Sequence, residues 1–179
     1  MKKLLIPFIL VAAVLFQSCK GPQGEPGPNG EAIIGQTFEV EGVNFTAANE
    51  FSYTLTFNAA RFVDVRESDA VLIYILWATS NGNPIWRLLP QAIDMPRGIT
   101  YNFDHTPTDF QVFIDAPVNV NLSTLSNTVT QNQTLRVVVI PSDFTSARTS
   151  GSALDVSNYE AVKKYYNLDE SKIPAVVAN

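Results

Sequence analysis

The chain has 179 residues and a formal net charge of −5, with 12 basic residues against 17 acidic. Hydrophobic residues make up 46% and include 11 Phe, 6 Tyr and 2 Trp, which suits one packed core and excludes a disordered chain. An acidic balance without a Lys/Arg cluster excludes a nucleic-acid partner, and the single cysteine excludes an internal disulfide and a cysteine-ligated metal.

Met1–Lys3 is a short positive segment, and Leu4–Phe16 follows as an unbroken apolar run of 13 residues. A membrane span needs ~20 such residues, so the pattern is that of a signal peptide over residues 1–18. Ser18 and Cys19 close it. A small residue directly before cysteine, after such a run, is what a lipoprotein signal peptidase reads. The thiol is diacylated, and cleavage between Ser18 and Cys19 leaves the lipidated cysteine as the new N-terminus. Leu15 lies one place further from Cys19 than the common lipobox has it, with Phe16 and Gln17 before Ser18. The competing readings are a plain secretory peptide with an incidental cysteine and a transmembrane anchor.

Cleavage removes Lys2 and Lys3 and no acid, leaving 10 basic and 17 acidic residues and a charge of −7. Two or three acyl chains, at ~0.8 kcal/mol per buried CH₂, anchor a protein stably. Lys20 follows the cysteine in place of the Asp that retains enteric lipoproteins at the inner membrane. The expected address is therefore the cell envelope, at the outer membrane, with the N-terminal lipid as the membrane contact.

Residues 21–30 read GPQGEPGPNG, a strict Gly-x-y register in which only glycine fits the axis of a collagen triple helix. As an isolated strand the same stretch is a proline-stiffened spacer reaching roughly 30 Å. Spacer and trimer seed remain the two readings of this linker, residues 19–31.

A lipoprotein cysteine, a few GPxGxxG triplets and a β-rich domain together resemble small lipoproteins common in Bacteroidetes, flavobacterial ones included. GQTFEVEGVNFTAANEFSYTLTF, IWRLLPQ, YNFDHTPTDFQVFID and LRVVVIPSDF carry the resemblance over most of the mature chain. It implies a β-sandwich of unknown function and brings no activity with it. Some members bear a dihydrolipoamide dehydrogenase label, which this chain contradicts: it has no GxGxxG, no paired redox cysteines and too few residues for two nucleotide domains.

Beyond residue 32 the pattern takes period two. Phe51, Tyr53, Leu55 and Phe57 alternate with polar residues, as do Ile99, Tyr101 and Phe103. Further strands are expected at Gln36–Val43, Arg61–Arg66, Pro84–Ile93, Phe110–Asp115 and Thr134–Ile140. Asn81-Gly82 suits a type I′ hairpin, and Met95-Pro96-Arg97-Gly98 a type I turn. Ala70–Ala78 is apolar on both faces, so it predicts a central strand with the core on one side and a lid on the other. Ser157-Asn158-Tyr159-Glu160 reads as a capping box, and Tyr159, Val162 and Tyr166 then recur at helical spacing. The expected fold is all-β: an antiparallel Ig-like β-sandwich over residues 32–147, then a tail, 148–179, with an α-helix at about 158–167. A signal helix and an extended linker precede it.

The chemistry is sparse. His105 is the only histidine, and with Cys19 committed to lipid no catalytic triad and no G-x-S-x-G elbow remain. Asp104 and Asp109 beside His105 make a thin metal set, and the stretch reads better as a strand end with Asp and Thr shaping a turn. Trp77 and Trp86, if exposed on a flat face, would stack on sugars, although both lie in apolar strands that favour the core. Glu39/Glu41, Asp64/Asp69 and Asp169/Glu170 read as solvated surface. No catalytic residue, cofactor or metal is expected. The leading expectation is a non-enzymatic, lipid-anchored envelope protein with a structural or partner-binding role, its partner a protein or glycan. A carbohydrate-binding module using exposed aromatics comes second, with Tyr74, Tyr101 and Phe110 sharing the core-favouring difficulty of Trp77 and Trp86, and a hydrolase third.

Overall fold

The computed structural model describes residues 36–60, 65–142 and 154–178. The signal peptide, Cys19, the glycine triplets and most of the strand expected at Arg61–Arg66 lie outside them.

Strand β1 (Gln36–Val43) opens the domain, and β2 (Ser52–Thr56) and β3 (Ala70–Ser80) follow. Val65 and Arg66, the described end of the strand expected at Arg61–Arg66, are not a strand. Asp69 accepts the Arg66 backbone N–H at 3.0 Å and its Nε at 3.2 Å, which bends the chain into a turn just before β3. Strand β3 turns into β4 (Asn83–Leu88) through Asn81 at φ 51° and Gly82 at φ 81°, the two positive φ values that a type I′ turn demands.

The strand expected over Pro84–Ile93 is two strands in different sheets. Leu89 still donates to the Ile73 carbonyl at 2.9 Å, but Pro90 has no N–H for a ladder, and the chain crosses over to form β5 (Gln91–Asp94). Strands β5 and β6 (Ile99–His105) are joined by Met95–Gly98, where Gly98 donates to the Met95 carbonyl at 3.1 Å. Strand β7 (Asp109–Asp115) pairs with both β6 and β2. A single helical turn, α1 (Asn127–Thr130), precedes β8 (Gln133–Ile140), and helix α2 (Tyr159–Tyr165) and strand β9 (Ala175–Val177) close the chain.

The larger sheet runs β4-β3-β8-β1-β9 and the smaller β2-β7-β6-β5, so the sandwich with a C-terminal helix is the fold found. One element of the antiparallel expectation changes. Strand β9 lies parallel to β1, so the tail adds an edge strand to the larger sheet. Its flanks are tied as well: Glu39 donates to the Pro174 carbonyl and Ala178 to the Glu41 carbonyl, both at 2.8 Å.

Between the sheets lie Phe38, Val40, Ile73, Ile75, Leu135 and Val137 from the larger sheet and Ile99, Tyr101, Phe110 and Val112 from the smaller. Alternation along each strand puts these side chains on one face. Strands β3 and β8 bury their outer faces too. Tyr74, Val138 and Ile140 meet Tyr159, Val162 and Tyr166 of the α2 segment, so the helix is the lid that the doubly apolar strand predicts. Its cap differs from the expected box. Asn158 is the N-cap, accepting from the Ala161 N–H at 3.2 Å, while Ser157 donates to Asp155 at 2.6 Å. Asp155 holds Ser157 back, and the next residue caps the helix instead.

Phe110 is 1% exposed, with ring centroids 6.1 Å from Phe38 and 5.7 Å from Phe57. Phe110→Ala is expected to cost about 3–5 kcal/mol in urea unfolding, the usual loss for a large buried aromatic. A loss under about 1 kcal/mol would contradict its place at the centre of the core.

Candidate functional site

Two features on the sandwich involve the tryptophans, and they differ in kind. The first is the outer face of the larger sheet, where Glu39, Arg136, Tyr74 and Leu88 are register partners across β1, β8, β3 and β4. Arg136 is only 7% exposed. Its guanidinium carbon lies 4.1 Å from the Trp86 ring centroid and 4.7 Å from that of Tyr159, in the corner between two tilted rings. Its Nε donates to Glu39 at 2.9 Å and its Nη1 to Glu170 at 2.6 Å. Glu170 also accepts from Lys163 at 2.6 Å and from the Tyr159 hydroxyl at 3.1 Å.

Three acidic residues expected as solvated surface are thereby structural. Glu39 and Glu170 neutralise Arg136, and Asp69 is 7% exposed and accepts from Arg66 and from the Ser142 N–H at 3.0 Å. Glu41 stays exposed as expected, and Asp64 lies outside the described residues. Spacing alone hid the change, because the partners are 97 and 34 positions apart in sequence. Arg136 itself carried a signal: it is the one charge in LRVVVI, an otherwise apolar strand.

Trp86 is part of this corner. Its indole Nε1 is buried with no hydrogen-bond partner, and its ring backs onto Arg136 and Tyr159. It offers no flat platform. Trp77 differs again. It sits at a bulge in β3, between Leu76 and Ala78, half-buried, with the Arg87 guanidinium 4.1 Å from its ring centroid.

The second feature is a cleft of about 570 Å³ beside Trp77, within the ~300–1,000 Å³ range of small-ligand sites. Strand β3 contributes Leu76 to Thr79 as one wall, and Gln131 to Thr134 form the other. Tyr101 and Val129 lie between, the Tyr101 hydroxyl donating to the Val129 carbonyl. Burial pushes the Tyr101 phenol up, so it stays a neutral donor. Among the lining residues only Tyr101 titrates; the polar ones are otherwise amides and hydroxyls.

The second wall is held rigidly. Gln133 Nε2 donates to the Gln131 carbonyl at 2.6 Å and to the Thr128 carbonyl at 3.1 Å. Asn132 is left-handed at φ 54°, its N–H donating to Asn44 Oδ1 at 2.9 Å. Sequence reasoning found Trp77 but missed this wall, because Thr128–Thr134 reads only as a polar connection until β3 and β8 bring it against Trp77.

His105 is exposed at the end of β6, and its imidazole has no hydrogen bond or ion pair among the described residues. The adjacent turn is built by Thr106, whose hydroxyl donates to Asp109 at 2.6 Å and accepts from the Thr108 and Asp109 N–H groups. That is the Asp/Thr turn expected from the sequence. Neither His105 nor Trp86 lines the cleft, so the structure keeps the three weak binding candidates apart. No group of three or more His, Cys, Asp or Glu that could hold a metal occurs among the described residues, and no helix there is long and apolar enough to cross a membrane. No family model, no curated protein and no solved structure matches the chain.

The Arg136 corner sets a pH dependence with a definite sign. Burial opposes ionisation of Glu170, but Lys163, Arg136 and Tyr159 outweigh it and hold the carboxyl below its ordinary value. A carboxylate depressed in the fold contributes stability above the ordinary carboxylate range and loses it as pH falls through the folded value. For Tyr159, burial pushes the phenol up to about 12, so its contribution is lost as pH rises from about 10, the ordinary tyrosine value, to about 12. Melting temperatures across pH are expected to fall at both ends. Glu170→Gln should flatten the acid limb and Tyr159→Phe the alkaline one; unchanged slopes would remove these residues from the balance.

Proposed function

We propose that this chain is a lipid-anchored envelope protein, held at the outer membrane through Cys19, whose sandwich binds a partner and performs no catalysis. The observation that carries the anchor is the leader itself: a positive start, 13 apolar residues, and Ser18-Cys19 with the chain's single thiol. A thiol placed there is explained by acylation and by nothing in the folded domain.

The geometry of the sandwich supports the binding half. The chain enters the larger sheet at Gln36, which pairs with Val139, whereas Gln133 on the cleft wall pairs with Val43. Seven residues of strand separate these ends, roughly 20 Å at the usual rise. The cleft therefore opens at the end of the sheet opposite Gln36. The lining favours binding over catalysis, since amides, hydroxyls and an indole hold a ligand but supply no acid–base pair.

The anchor is tested by metabolic labelling with a palmitate analogue. The wild-type chain should take up label and sediment with membranes, and Cys19→Ala should lose both. Unchanged membrane association of Cys19→Ala would overturn the reading.

A further inference from the structure

We infer that the cleft beside Trp77 is a binding site for a neutral saccharide. This names the partner for the binding role proposed above and rests on that role.

The lining selects the class by elimination. Among the described residues no Asp, Glu, Lys, Arg or His lines the cleft, and the nearby Arg87 guanidinium lies over the Trp77 ring, so the walls themselves offer a charged ligand no counter-charge. The walls are also too polar for a purely apolar ligand. Among the described residues the side chains of Thr79, Gln131, Asn132 and Thr134 have no hydrogen-bond partner within the protein, so their donors and acceptors are free for a ligand. Gln133 spends its Nε2 on two carbonyls, which leaves Oε1 as a fixed acceptor.

A peptide has the same amide chemistry but asks for something else. Extended peptides are commonly taken by adding a strand to a free sheet edge. The cleft lies where β3 and β8 part beyond their last register pair, Ile75 and Leu135, so Leu76–Thr79 has β4 on one side and the cleft on the other, an edge of four residues where a strand commonly has about 5–6. An extended peptide would find only that short stretch of main chain to pair with. What remains is a ligand with many neutral hydroxyls and apolar C–H patches, which is a sugar.

The cleft is arranged for such a ligand in two ways. Arg87 covers the Trp77 ring at 4.1 Å and fixes it, while Leu76 and Ala78 extend the apolar wall. Opposite, the turn carrying Gln131–Gln133 is tied by Asn44 and by the Phe45 N–H, which donates to the Thr130 carbonyl at 2.7 Å. A wall whose backbone is held in place before binding loses little backbone freedom on binding. The site is thus a cleft between two strand ends, distinct from the flat aromatic platform that the sequence suggested.

The test applies the purified full chain, kept in a detergent without a sugar headgroup, to an array of neutral and acidic glycans and to a parallel array of peptides. Binding to at least one neutral glycan is expected. The Gln131→Ala/Asn132→Gly variant, in which glycine keeps the left-handed turn at 132, should bind it tenfold or more weakly, and His105→Ala should bind as the wild type does. Both changes in the double variant lie on the cleft rim, and an unchanged thermal unfolding midpoint would confirm that the fold is kept. Binding to no neutral glycan, binding to acidic glycans or peptides alone, or undiminished binding by the double variant would each overturn the inference. Cys19→Ala is arrayed beside them, so a failed anchor and an empty cleft are read separately.

Discussion

The guanidinium of Arg136 is the group on which the placement of the C-terminal tail depends. It is a charge placed in the middle of the outer face of a sheet, and it is tolerable there because two carboxylates and two aromatic rings surround it. Each partner comes from a different place: Glu39 from β1, Trp86 from β4, Tyr159 from α2 and Glu170 from the segment after it. A buried ion pair adds little net stability over an apolar replacement, but a mispaired one is expensive. Its effect is selective, since few placements of the tail would satisfy Arg136, and the observed one does so.

With the tail fixed, the rest of the outer face follows. Tyr74 packs edge-on to Tyr159 at 5.2 Å and donates its hydroxyl to the Val156 carbonyl at 2.7 Å. Two small cores result, one between the sheets and one under the helix, and β3 and β8 belong to both. That double burial is why AVLIYILWA and LRVVVI read as continuous apolar runs. The cleft is the counterpart. It forms where β3 and β8 part at the edge of the main core, with an apolar wall from β3 and a polar one from the start of β8 and the turn before it.

Where strands begin and which way they face was legible in the residues, because alternation, turn pairs and a helical stripe are local properties. The hairpin at Asn81-Gly82 and the lid over Tyr74 were both readable in this way. The unread parts depend on long-range pairing. Nothing in Ala175–Val177 marks three residues as a strand until β1 stands beside them. The break at Leu89-Pro90 was visible as a proline, yet the change of sheet follows from where the chain must go next. Glu39 and Glu170 looked like surface because their cation is remote in sequence. The cleft was half legible: Trp77 stood out, and the amides opposite did not, since they gain meaning only from a neighbour supplied by the fold.

The placement of β1 has a mechanical consequence. It lies between β8 and β9, and its first residue is where the chain enters the sheet. Tension applied between Gln36 and the cleft runs along the strand axis, while the ladder hydrogen bonds lie across it. Such a pull must slide β1 past both neighbours and strain the whole set of bonds together, where a pull across the sheet would open them one after another. Strand β9, only three residues long, adds a second row to that set. The sandwich is therefore strongest along the line that joins its entry point to its cleft.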